Sequence, residues 1–274
     1  MKKIITFLIL TFIFISPAFS AKDKFSEEYL KSSAHLFSMS FVGEKIVNSA
    51  IKQALKKEAP GKYKVQFKGY TLASIKKGIF KYLEITGKDV KTDDIEIPYF
   101  NIKTITDYNW VDYNTNPITF KSDITGDCIV HLSEKSVNDA LEKEEYKKLL
   151  RYVNKKAYPL FTLNGVKVKI KNSKMYVIMS YNSPIAPREK DRTFMVSSGL
   201  HIVNNEIMPY NVSFDSAYGN LPIKKVVNLV NMINPLNFTT KLVDGKQSDV
   251  KIEKIKIEDD IVIINGKIYI KGEK

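Results

Sequence analysis

"SDVKIEKIKIEDDIVIINGKIYIKG", residues 248–272, alternates apolar and charged side chains almost to its end. A period of two puts the apolar set on one face of a strand and the charged set on the other, as in a half-buried antiparallel sheet. Asp259 and Asp260 stand where a tight turn joins two such strands. Val250 and Ile252 have one parity and Ile255 and Ile257 the other, so the apolar face changes side near Glu253 and Lys254. Such a slip reverses every following side chain unless an extra residue bulges out and bends the strand. The stretch therefore predicts a bulge there, with Ile255 and Ile257 on the inner face and Lys254 and Lys256 outside.

Two more hairpins have the same form. Val166, Val168 and Ile170 lead into Asn172-Ser173, and Met175, Val177 and Met179 lead away; Phe194, Val196, Leu200 and Ile202 lead into Asn204-Asn205, and Ile207, Tyr210 and Val212 lead away. Asn tolerates the left-handed backbone that such turns need. Earlier strands are predicted at Tyr63-Val65-Phe67 and within Ile79 to Ile85, Ile95 to Ile105 and Ile118 to Ile124. Three helices are expected beside them. The first runs from a Ser26 cap to the stop at Pro60-Gly61, with an apolar stripe that includes Phe37 and Phe41. A second starts at Ser133 and carries Leu141 and Leu149, and a third has Pro222 in its first turn and ends at Asn234-Pro235. Strands in hairpins with segregated helices give an α+β fold, a bent antiparallel sheet with a helix in its concave side.

The N-terminus reads as a signal peptide. Lys2 and Lys3 precede an apolar run from Ile4 to Ile15, and small residues from Ser16 to Ser20 predict cleavage after Ser20. That run is shorter than the roughly 20 residues of a membrane span. One domain, residues 21–274, is expected to follow, because no linker or composition break divides the chain. The only cysteine, Cys128, lies far from the cleavage point, which excludes a lipoprotein anchor there and any intrachain disulfide. The net charge of +13 suits anionic surfaces, yet only Arg151, Arg188 and Arg192 are arginines among 43 basic residues. Bidentate phosphate recognition favours Arg, so together with export this argues against nucleic acid and leaves a membrane surface. The abundance of Lys, Ile and Asn is read as compositional bias.

No catalytic or metal constellation emerges. His35, His131 and His201 have no partner at ligand spacing, and GxSxG, HExxH and Gly-rich phosphate loops are missing from the sequence. Asp93-Asp94 and Asp259-Asp260 read as turns, and Cys128 as a small buried side chain. The segment around Arg188 and Arg192 offers a headgroup rim, or else a solvated loop balanced by Glu189 and Asp191. The expectation is a protein without catalytic residues, metal or cofactor.

Taken in order, "GIFKYLEITGKDVKTDDIEI" (78–97), "CIVHLSEKSVNDAL" (128–141), the hairpins, "INPLNF" (233–238) and "DVKIEKIKIEDDIVIING" (249–266) resemble the LmeA-like phospholipid-binding proteins of bacterial cell envelopes. The resemblance implies an elongated α+β fold of the lipid-binding TULIP or mandolin-like kind. In it a curved antiparallel sheet wraps a long N-terminal helix around an apolar tunnel or groove for acyl chains. It implies lipid binding or lipid transport without catalysis, in the periplasm, the cell envelope or outside the cell, on phospholipid or another acyl lipid. Parity and apolar character nominate Phe37, Phe41, Phe67, Leu141, Leu149, Met179, Met195, Ile255 and Ile257 as lining, and Arg188 and Arg192 as headgroup rim. The competing expectation is a secreted scaffold with a filled core that binds a protein or a cell-wall polymer.

Overall fold

A computed structural model describes residues 36–93, 95–112, 119–157, 162–182, 192–216, 223–243 and 248–273. The signal segment, the Ser26 cap, Pro222 and Arg188 lie outside these residues. In chain order the elements are α1 (Leu36–Glu58), β1 (Lys62–Lys68), α2 (Leu72–Lys76), β2 (Ile79–Phe80), β3 (Tyr82–Lys91), β4 (Glu96–Thr104), β5 (Asn109–Asp112), β6 (Thr119–Phe120) and β7 (Ile124–Ser133). Then come α3 (Glu134–Leu141), α4 (Glu144–Ala157), β8 (Thr162–Lys171), β9 (Lys174–Asn182), β10 (Arg192–Val203), β11 (Glu206–Ser216), α5 (Ile223–Ile233), α6 (Pro235–Val243), β12 (Ser248–Glu258) and β13 (Ile261–Ile270). All pairings are antiparallel, in sheets ordered β1-β3-β4-β7-β13-β12, β11-β10-β9-β8 and β2-β5-β6. The chain is thus α+β, built on antiparallel sheet.

The predicted bulge is present. Ile252 pairs with Gly266 and Lys254 with Asn265, so Glu253 is the extra residue, and its carboxylate turns out to Lys267 Nζ at 3.2 Å. Val250 and Ile252 before it, and Ile255 and Ile257 after it, all pack on one core, while Lys254 and Lys256 are exposed. Gly266 opposite is required by close approach, since a Cβ there would stand 2.5 Å from the Lys251 carbonyl oxygen. The turns also follow expectation: Asn172 and Ser173 have φ of 52° and 57°, Asn204 and Asn205 50° and 65°, and Asp259 46°.

The four-stranded sheet buries β8, β9 and most of β10 on one face, while Leu200 of β10 and Val212 and Phe214 of β11 are only partly buried. Val166, Met179 and Phe194 form one cross-strand row, and Val168, Val177 and Val196 the next, all in the core. Each fully buried side chain of this size contributes about 1.5–3 kcal/mol relative to exposure. Over that face lie α3, α4, α5 and α6, with Tyr146 of α4 donating its hydroxyl hydrogen to the Ile233 carbonyl at 2.9 Å and meeting the Phe238 ring edge-on. The second predicted helix is therefore two helices. Val137, Ala140 and Leu141 form one stripe and Tyr146, Leu149, Leu150 and Val153 another, but the step from Leu141 to Tyr146 is off helical spacing. The break at Glu142 and Lys143 resets the face. Likewise Asn234-Pro235 ends α5 and at once starts α6, where Asn234 Oδ1 accepts the Asn237 N–H at 3.2 Å.

An unpaired strand edge invites pairing with another chain. Here side-chain amides and carboxylates occupy edge positions of both large sheets. On β1, Asn48 and Glu44 of α1 accept the N–H groups of Phe67 and Gly69 at 2.8 and 3.1 Å. On β8, Asn138 bonds both backbone groups of Val168, Asn154 both of Leu163, and Glu134 the N–H of Ile170. On β11, Asn234 and Asn237 bond the carbonyl and N–H of Ile207. On β12, Asn205 of the β10–β11 turn donates to the Val250 carbonyl and accepts from Ile252 N–H, tying the two sheets together beside the bulge.

Candidate functional site

Two cross-strand rows run the width of the six-stranded sheet on its apolar side. The first is Val65, Ile85, Ile102, Cys128, Gly266 and Ile252, and the second is Tyr63, Gly87, Phe100, Val130, Ile264 and Ile255. Six strands at their usual spacing make each row roughly 24 Å wide. Neither row contains a charged residue. The Tyr63 hydroxyl donates to the Ala59 carbonyl at 2.8 Å, and burial raises it well above the ordinary phenol range. Burial likewise pushes the Cys128 thiol up to about 11, more than its contact with the Gly266 backbone lowers it.

Cover over these rows is incomplete. Ile85, Cys128, Tyr63, Phe100 and Ile264 are buried, whereas Val65, Ile102, Val130, Ile252 and Ile255 are only half-buried. The opposite side of the sheet is polar: Lys88, Tyr99, His131, Ile263 and Lys256 share a row, and Lys103 pairs with Asp127 at 3.5 Å. Tyr82 and Asn101 both donate to Glu84 there, which holds its carboxyl below the usual range. Against His131 lies the Tyr99 ring at 4.7 Å, and burial holds the imidazole below its ordinary value despite the opposing Glu258 charge. Glu258 itself is paired with Lys256.

The nominated residues are dispersed over this frame. Phe67, Ile255 and Ile257 lie on the apolar face of the six-stranded sheet, Phe67 with its ring 5.3 Å from Phe80. Met179 is wholly buried in the four-stranded sheet, in register with Phe194, so Met195 falls on the other face, half-buried and opposite Ile178. Leu141 is buried on α3 and Leu149 half-buried on α4. Phe41 is 56% exposed, with Lys45 Nζ 4.3 Å from its ring centre, and so stands outside the core. Phe37 lies on α1, but its side chain is outside the described set, and Arg192 opens β10 opposite Tyr181. Of the nominated lining only Ile255 falls in the two rows, and the half-buried Val65, Ile102, Val130 and Ile252 are absent from it. Their alternation is readable in "KYKVQFK" (62–68) and "ITGDCIVHLS" (124–133), but the extent of cover over them is tertiary. Among the described residues, no three His, Cys, Asp or Glu side chains gather to hold a metal ion, and no helix is long and apolar enough to cross a membrane.

No protein-family model, curated protein or solved structure matches the chain.

Proposed function

We propose that this chain is an exported, non-enzymatic binder or carrier of phospholipid or another acyl lipid in the bacterial cell envelope. The observation that carries the reading is the pair of charge-free rows with Val65, Ile102, Val130, Ile252 and Ile255 half-covered. Burying a methylene contributes about 0.8 kcal/mol, so a long acyl chain gains on the order of 10 kcal/mol when fully covered. Association costs about 4–15 kcal/mol, and a half-covered face returns only part of that gain. Such a balance suits a carrier, which must release its cargo. In this reading the six-stranded sheet curves around α1 as in the LmeA-like proteins that the sequence resembles, and residues 1–20 direct export.

A scaffold with a filled core is the second reading. It draws on the four-stranded sheet, where Met179, Val177 and Val196 are wholly enclosed. Lipid extraction and mass spectrometry of the purified mature protein separate the two. The carrier reading expects phospholipid or fatty acid at a sizeable fraction of one per chain; no recovered lipid, together with no binding of a fluorescent acyl probe, would refute it.

A further inference from the structure

Six of the ten exposed large hydrophobic side chains among the described residues gather at one end of the molecule: Phe41, Tyr70, Ile105, Tyr108, Trp110 and Tyr269, each 38–56% exposed. Scattered singly, such residues would need no explanation, but a cluster marks an interaction site. The sheet registers place them. β1, β4 and β13 finish where β3, β7 and β12 begin, as Lys68 opposite Tyr82, Thr104 opposite Gly126 and Ile270 opposite Ile124 show. Beyond that end sit α2 and the small β2-β5-β6 sheet. Phe41 joins them because it is one turn before Glu44, which accepts the Gly69 N–H.

The end is a built structure. Lys81 N–H bonds the Lys68 carbonyl at 2.9 Å, Val111 N–H that of Gly78 at 3.0 Å, and Glu273 N–H that of Phe120. Asn109, fully buried, donates to the carbonyls of Thr106 and Lys81, and Tyr70 donates its hydroxyl hydrogen to the Asp107 carbonyl. The aromatic side chains are therefore held on a firm base. Their types are those that partition to a membrane interface, where an apolar ring is buried and a polar tip stays wet.

Charge agrees with the aromatic signal. Residues 68–82 contain Lys68, Lys76, Lys77 and Lys81, all exposed, and no acid. With 41–45, 105–112, 119–123, 248–249 and 269–273 the end holds seven lysines against Glu44, Asp107, Asp112, Asp123, Asp249 and Glu273, a net charge of +1. We infer that this end docks the protein on an anionic lipid bilayer, the aromatic residues entering the interface and the lysines of α2 facing the headgroups. The inference rests on the lipid-carrier reading, for which it supplies the site of exchange with a membrane.

Trp110 is the only tryptophan, so the native protein carries its own probe. With vesicles of phosphatidylglycerol and phosphatidylcholine at low salt, its emission should shift to the blue and become shielded from acrylamide, with a much smaller change on pure phosphatidylcholine. A lysine near an anionic surface is worth roughly fivefold in binding, so reversing Lys76 and Lys77 to Glu should weaken co-sedimentation by more than about 25-fold. Tyr108→Ser should weaken it too, whereas Tyr152→Ser, an exposed side chain on α4, should leave it unchanged. Vesicles that sediment the protein without moving Trp110 emission would overturn the inference, as would the absence of vesicle binding or equal losses in both tyrosine variants. Lipid recovered by extraction from a protein that ignores vesicles would sink the docking end and leave the carrier reading standing. Docking through Trp110 without extractable lipid would do the reverse.

Discussion

Cys128 shows how position fixes the chemistry of a single side chain. It sits in a charge-free row beside Gly266, and desolvation raises its thiol from 9.0 to about 11. The native state therefore keeps a proton that the unfolded chain loses above pH 9. Its contribution to stability is complete below pH 9 and is lost as the pH rises toward 11, a change on the order of 2 kcal/mol. Urea unfolding should show stability falling more steeply across that window in the wild type than in Cys128→Ala, and native Cys128 should resist iodoacetamide at pH 8. Equal slopes, or rapid alkylation of the folded protein, would contradict this placement. Tyr82, pushed up to about 12 first by burial and then by Glu84, steepens the fall further above pH 10 in both proteins. That Cys128 is buried was legible from its neighbours. What the asparagines do was not: Asn48, Asn138 and Asn154 read as compositional bias, Asn205 only as a turn residue and Asn234 only as a helix end, yet each serves a strand edge. Such contacts join positions up to 47 residues apart, and no local pattern encodes them.

The hairpins were the most legible elements, because period-two alternation and turn residues are both local signals. Two turns of like geometry nevertheless differ in what a glycine would do. Ser173 holds a φ of 57°, where a side chain costs about 1 kcal/mol, so Ser173→Gly should stabilise by about 0.5–1 kcal/mol. Asn205 has a φ of 65°, and glycine there would gain the same relief but lose both bonds to β12. Each of these exposed bonds is worth about 0.5–1.5 kcal/mol net, so together they outweigh the relief and Asn205→Gly should destabilise. Thermal unfolding of the pair tests this; stabilisation by both substitutions would mean that the Asn205 bridge contributes nothing. Helix boundaries were less legible. The break between α3 and α4 lies in a stripe offset of one residue, and α6 is shorter than the window in which periodicity is secure. The small β2-β5-β6 sheet was missed because two of its strands have only two residues each.

At the scale of the whole molecule, both large sheets turn an apolar face inward, and each leaves part of it half-buried. The four-stranded sheet is covered by α3, α4, α5 and α6, and Leu141 and Met179, chosen as lining, are buried on that side. On the six-stranded sheet the sequence revealed the apolar face and its bulge, and thereby Ile255 and Ile257. It could not reveal that Val65, Ile102 and Val130 would be left half-covered, since cover depends on where distant helices settle. The function proposed for the chain rests on those rows. Photolabelling of the mature protein with a phospholipid bearing a diazirine in its acyl chain, followed by peptide mass spectrometry, tests it most directly. The carrier account predicts adducts on the β4, β7 and β12 peptides that hold Ile102, Val130 and Ile255, and their loss in Ile255→Lys, a substitution that a half-buried edge position tolerates. Adducts confined to Trp110 and its neighbours, or no adducts on those three strands, would contradict it.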